Sequence, residues 1–232
     1  MHYIRKASER GQVDLGWLQS QHSFSFGHYH DLKHMGVSVL RVINEDKVLA
    51  GQGFGTHGHR DMEIISYVIS GALKHQDSTG NEYIVPAGDV QRMSAGSGIM
   101  HSEYNASNSA TAHFLQIWIQ PKLRGIAPSY EQKSIPQTTQ LTPLVTPNGE
   151  HGSVSINQDA SIYRLKLDEG QSHTLQTLQT ADRKGYLHII CGHIDANKQN
   201  FSNGDAFALN RNERVTLTAT SSLEALWFDL PA

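Results

Sequence analysis

No stretch of the chain repeats apolar residues at helical spacing for more than a few turns, and this constrains the fold more than any other feature. Apolar residues come instead in short runs of β-branched and aromatic side chains closed by glycine or proline. Residues 63–71 (EIISYVISG) set Ile65, Tyr67 and Ile69 against Glu63, Ile64, Ser66 and Val68. That pattern reads as a strand with one face fully buried and the other partly so. Residues 113–121 (HFLQIWIQP) read as a strand ended by proline, and residues 214–231 as two strands around a short polar turn. Many short strands with glycine turns argue for an all-β fold of barrels or sandwiches.

A length of 232 residues suffices for two small domains with separate cores. Five of the 7 prolines fall between Pro121 and Pro147, in a stretch also rich in Gln, Thr and Ser. Repeated prolines interrupt sheet and helix alike, so this stretch is expected to connect two domains. A faint repeat supports the division. VISG ending at Gly71 precedes PAGDVQRM, and IICG ending at Gly192 precedes SNGDAFAL. In each half a strand ends in glycine and a Gly-Asp turn later feeds another strand.

A net charge of -3 with neutral histidines gives no electrostatic basis for binding nucleic acid or an anionic membrane. The first residues, MHYIRKASERGQ, show no apolar run, so no signal peptide is expected, and no stretch approaches a transmembrane helix. Cys191 is the single cysteine; within YLHIICG it is expected to be a small buried hydrophobe. These features point to the cytoplasm.

Histidine is over-represented, at 14 residues. His57 and His59 stand two apart in GTHGHRD, and His101 and Glu103 two apart in GIMHSEYN. On a strand, residues i and i+2 share a face, about 6–7 Å apart. If the two strands are neighbours, three imidazoles and one carboxylate converge on one cation and leave positions open for substrate and dioxygen, as in non-haem iron sites. Glu63 is the rival carboxylate, but on a straight strand it lies about 13 Å beyond His59. His28 and His30 repeat the spacing in a polar segment with no matching H-x-E pair, and are expected at the surface. His113 opens a strand soon after the H-x-E pair and could line the same interior. The other histidines, His75 among them, show no ligand-type partner at short spacing.

These residues resemble the cupin superfamily and, within it, the pirin family. The first cupin motif matches residues 51–71 and the second residues 86–105. HSFSFGHYHD, GFGTHGHRDMEI, MSAGSGIMHSEYN and LQIWIQP followed by PSYEQK are the more specific pirin-like features. The resemblance implies a bicupin of two jelly-roll-like β-barrels. Residues 1–120 would form the metal-binding cupin, 121–150 the connector and 151–232 a degenerate cupin without ligands. The family's ligands map onto His57, His59, His101 and Glu103. One departure is Gly58, at a position where pirins commonly carry proline.

Bacterial pirins resemble quercetin 2,3-dioxygenases. The implied activity is ring cleavage of a flavonol with dioxygen, releasing carbon monoxide, at one divalent ion, Fe(II) first among several transition metals. Glu103 would be both ligand and catalytic base. The aromatics of HSFSF and Phe54 are candidate pocket walls. The implied partners are a small aromatic substrate and dioxygen, with no nucleic acid or membrane. Two barrels in one chain suit a monomer. The alternatives are a metal-dependent, redox-sensitive regulator that binds a protein partner, and a relic cupin whose metal only stabilises the fold.

Overall fold

The computed structural model describes residues 1–177 and 182–232. Among them strands dominate; the only helical pieces are the 3-10 turns Ala7–Glu9 and Glu150–Gly152. No helix of the described residues is long and apolar enough to cross a membrane. The chain forms two compact units. One holds Gly11–Ile135 and Val154–Gln158; the other holds Met1–Arg10, Pro136–Ser153 and Asp159–Ala232.

In the first unit the large sheet runs Ser129–Ser134, Asp89–Ser94, Glu63–Ser70, Ala112–Ile119, Leu40–Val48, Leu18–His22, Gly11–Asp14. Its second sheet runs Gly53–His59, Ile99–Asn105, Ala72–Asp77, Glu82–Pro86. The other unit repeats this order. Its large sheet runs Tyr3–Arg5, Ala206–Leu209, Arg183–Cys191, Leu223–Pro231, Ser161–Leu167, Leu141–Thr146, and its smaller one Ser172–Gln176, Arg214–Ala219, Ile194–Ala196, Gln199–Phe201. The sequence repeat has a structural counterpart: Glu63–Ser70 pairs with Asp89–Ser94 as Arg183–Cys191 pairs with Ala206–Leu209. Each unit is a cupin-type sandwich of two sheets rather than a closed barrel. Arg214–Ala219 and Leu223–Pro231 lie in different sheets, so the polar turn between them is a corner and not a hairpin.

The division between the units departs from the simple linear boundaries. Tyr3–Arg5 pairs with Ala206–Leu209, which takes the first residues into the second unit. The proline-rich stretch is not bare connector. Ser129–Ser134 pairs with Asp89–Ser94, and Leu141–Thr146 pairs with Ser161–Leu167. The prolines limit these strands rather than forbid them. Pro128, Pro136 and Pro147 stand outside the strands, and Pro143 sits at a register shift, where a missing donor is tolerated. Cys191 also departs from expectation. It is exposed at the end of its strand, past a register shift after Ile189.

The inward face of the first unit explains its chemistry. Glu63–Ser70 is buried on both faces through Val68. Ile64 belongs to one apolar cluster with Met93, Ala95 and Ile99; Val68 belongs to another with Leu73, Phe114 and Val48. Between them on the same face is Ser66, with Gln91 and Gln116 as its direct cross-strand neighbours. A polar belt thus separates two dry ends. Among the described residues the second unit shows no such belt: Leu175, Val215, Leu217, Phe201, Phe207 and Trp227 pack in one apolar cluster.

Candidate metal centre

Gly53–His59 lies antiparallel to Ile99–Asn105, with His57 directly opposite His101. The register then shifts, so that Glu103 faces Phe54. This bulge falls in a glycine-rich strand that bends without steric cost. His57, His59 and His101 come together. Their ring centroids are 4.8 Å (His57–His59), 4.5 Å (His57–His101) and 4.9 Å (His59–His101) apart. One nitrogen from each lies within 4.8 Å of the others.

His57 Nδ1 is 2.8 Å from the Gly55 carbonyl oxygen. A carbonyl only accepts, so Nδ1 carries the proton and the Nε2 lone pair is free. That Nε2 stands 3.0 Å from His101 Nε2. Burial, reinforced by His101 and His57, lowers the His59 pKa to about 4. Burial, reinforced by His57 and His75, lowers that of His101 to about 3. Both rings are therefore neutral donors near pH 7.

Glu103 is buried beneath this group and held from the opposite sheet. Its Oε1 accepts from Ser66 Oγ at 3.1 Å and Gln91 Nε2 at 3.0 Å; its Oε2 accepts from Gln116 Nε2 at 2.6 Å. Glu103 joins a second group with His101 and His75, within the same 4.8 Å limit. His101 links the two groups.

His75 is the member that sequence reasoning missed. The signal was present, since Asp77 stands two residues on and shares its face. His75 Nε2 lies 3.0 Å from Asp77 Oδ2, and His75 Nδ1 is buried without a hydrogen-bond partner. Burial opposes charge on Asp77, but hydrogen bonds from His75, Thr79 and Asn81 outweigh it and hold the carboxyl well below its ordinary range.

The remaining candidates fall elsewhere. Glu63 accepts from Ser94 Oγ at 2.9 Å and from Asn157, outside both groups. His113 pairs with Glu45 at 2.9 Å. His28 and His30 are exposed. Among the aromatics, Trp118 is in edge contact with His59 at 5.0 Å, and Phe26 with Trp118 at 5.3 Å. Phe54 packs instead on Trp17, and Phe24 is buried core. Gly58 leaves room for Met100: a Cβ there would meet Met100 Sδ at 2.9 Å.

The donor set fits a divalent transition metal. Neutral imidazoles and an anionic carboxylate suit a borderline-soft ion. Imidazole nitrogens facing each other at 3.0 Å, and a buried His101 Nδ1 without a partner, mark a site built for more than packing. Among the described residues, no such group occurs in the second unit.

The Pirin family model matches residues 3–119, and the model of the quercetinase C-terminal cupin domain matches residues 143–230. Quercetin 2,3-dioxygenase of Escherichia coli K12 is 45% identical over 233 residues, spanning 100% of this chain and 99% of that one. A Pirin-like protein of Caulobacter vibrioides is 39% identical over 94% of this chain and 95% of its own. The crystal structure of the bacterial pirin YhhW from Escherichia coli in complex with nickel(II) superposes with a TM-score of 0.93 at 44% identity, covering 99% of this chain and 98% of that one. The chain belongs to the pirin family.

Proposed function

We propose that this protein is a metal-dependent dioxygenase that cleaves flavonols of the quercetin type with release of carbon monoxide, using one divalent ion, Fe(II) in the working enzyme. His57, His59, His101 and Glu103 are its ligands. The observation that carries the reading is the convergence of three imidazole nitrogens, from His57, His59 and His101, with Glu103 grouped to the shared His101 and held in place by Ser66, Gln91 and Gln116. The relatives named quercetin 2,3-dioxygenase supply the substrate class.

A bound divalent ion supplies a Lewis acid that makes a coordinated hydroxyl more acidic, and open positions for substrate and dioxygen. Glu103 is the carboxylate nearest to take the hydroxyl proton. Its Oε1 already accepts two hydrogen bonds and its Oε2 one, so the remaining lone pair on Oε2 is the one open to the ion or, in its place, to the proton. Trp118 and Phe26, beside His59, offer apolar edges to a flat aromatic ring. The three donors keep Glu103 from turning away when it exchanges a proton.

The test is oxygen uptake by iron-loaded protein with quercetin, alongside carbon monoxide detection. Uptake with stoichiometric carbon monoxide supports the reading. Iron-loaded protein that consumes no oxygen refutes it.

A further inference from the structure

We propose that Tyr83, Tyr130 and His75 form a conduit that carries one-electron oxidising equivalents from His101 to the protein surface, ending on Tyr83. The inference rests on the metal reading above.

Four rings stand in series. His101 and His75 are 5.5 Å apart between centroids, and His75 and Tyr130 are 4.7 Å apart at 31°. Tyr130 stacks on Tyr83 at 5.2 Å and 14°. His101 and His75 are buried, whereas Tyr83 is 49% exposed, so the series leads from the interior to water with no break between rings. Strand register builds it. Glu103 lies opposite His75, and His75 opposite Tyr83, on adjacent strands of the small sheet. Tyr130 comes from the edge strand of the large sheet and touches both rings.

The surroundings of the two phenols differ in a way that sets the direction. Tyr130 Oη lies 2.9 Å from both Gln91 Oε1 and Gln132 Oε1, which are neutral amide oxygens and poor proton acceptors. Burial and the nearby Glu103 charge raise its pKa above the ordinary phenol range, so its proton stays in place. Tyr83 can release its proton to solvent. An electron vacancy passing through Tyr130 therefore settles on Tyr83. Trp118, the other oxidisable ring at the site, leads through Phe26 and His22 toward Tyr29, a path broken by phenylalanine, which is far harder to oxidise than tyrosine.

The oxidant is a peroxide reduced at the site. In each event one electron leaves Tyr83 and one proton leaves its hydroxyl for water. Within one chain Tyr83 supplies one of the two electrons that convert one hydrogen peroxide into two water molecules; the bound Fe(II) supplies the other and becomes Fe(III), and the two protons are the one released by Tyr83 and one from solvent. Two Tyr83 radicals, from two protein molecules, then couple to dityrosine. Such an exit spares the ligand imidazoles when oxygen chemistry miscarries.

The test treats Fe(II)-loaded protein, with uptake verified by elemental analysis, with hydrogen peroxide. Freeze-quench EPR, dityrosine fluorescence and peptide mass spectrometry are the readouts. The expected result is a tyrosyl signal that narrows with ring-deuterated tyrosine, and dityrosine mapped to Tyr83. Tyr83→Phe abolishes the dityrosine, and Tyr130→Phe leaves Tyr83 unmodified. Tyr83 is solvent-exposed, so Tyr83→Phe still decides the matter if Tyr130→Phe does not fold. Iron-bound protein that forms no tyrosyl radical overturns the conduit alone, as does oxidation at Trp118 or the exposed Tyr104 instead. Unchanged Tyr83 oxidation in Tyr130→Phe does the same. Protein that takes up no iron overturns the metal reading and the conduit with it.

Discussion

Gln116 on the large sheet donates its amide to Glu103 on the small sheet at 2.6 Å, joining the two layers at the polar belt. A hydrogen bond to a charged group contributes about 1.5–3 kcal/mol. Gln116→Leu removes it and leaves Oε2 without this donor. Loss of a partner that orients a ligand weakens metal affinity by about 10–100-fold. Calorimetric titration with Ni(II) or Co(II), beside chemical denaturation of the same variant, checks both effects.

Asp46 is buried close to Glu103, and its pKa is raised to about 7, by burial first, against an opposing hydrogen bond from Ser20 and with the charges of Glu103 and Glu45 adding to the rise. Between the ordinary value of 3.8 and about 7, the folded state therefore holds a proton that the unfolded state has lost. Stability from this group is greatest below the ordinary value and falls as pH rises through about 7. Asp46→Asn mimics the protonated form. Its melting temperature should match the wild type in acid and exceed it above neutrality.

The lowered pKa values of His59 and His101 act in the opposite sense. The unfolded chain takes up protons at about 6.5, whereas the folded rings stay neutral down to about 4 and about 3. Metal-free protein should lose stability as pH falls from about 6.5 toward those values, with no further loss from these rings below them. Replacing both rings with phenylalanine should flatten that part of the melting profile. A slope unchanged by the replacement would contradict the assignment.

Gly53 lies against the Ile99–Asn105 strand. A Cβ there would collide with the Glu103 carbonyl oxygen and Tyr104 Cα, backbone atoms that cannot swing aside. Gly53→Ala should push the two ligand-bearing strands apart and cost about 1–3 kcal/mol as overpacking. Metal affinity should fall with it. At Gly58 the obstacle is the flexible end of Met100, so Gly58→Ala should be much milder. Denaturation midpoints of the two variants make the comparison.

Local spacing carried much of this site. The i, i+2 pairs at His57–His59 and His101–Glu103 announced a shared face, and strand alternation announced an all-β fold without deciding between closed barrels and sandwiches. The sequence could not show that Glu103 would fall in a separate group with His75, because that depends on the register of three strands and one bulge. It did not reveal that Ser66, Gln91 and Gln116 meet under Glu103, since no short spacing links them. The first strand's place in the second unit is a long-range pairing of Tyr3 with Ala208, equally invisible in a local pattern. The prolines were legible as interruptions. That two six-residue strands form there, one of them running through Pro143, was not, because pairing partners lay elsewhere in the chain.

We propose that His57, His59, His101 and Glu103 together hold a single divalent ion. Elemental analysis of the wild type and of His101→Ala, each reconstituted from metal-free protein and freed of excess ion, tests it most directly. One ion per chain in the wild type, and its loss in a still-folded variant, is the expected outcome. A wild type that retains no ion, or a variant that keeps a full equivalent, would contradict it.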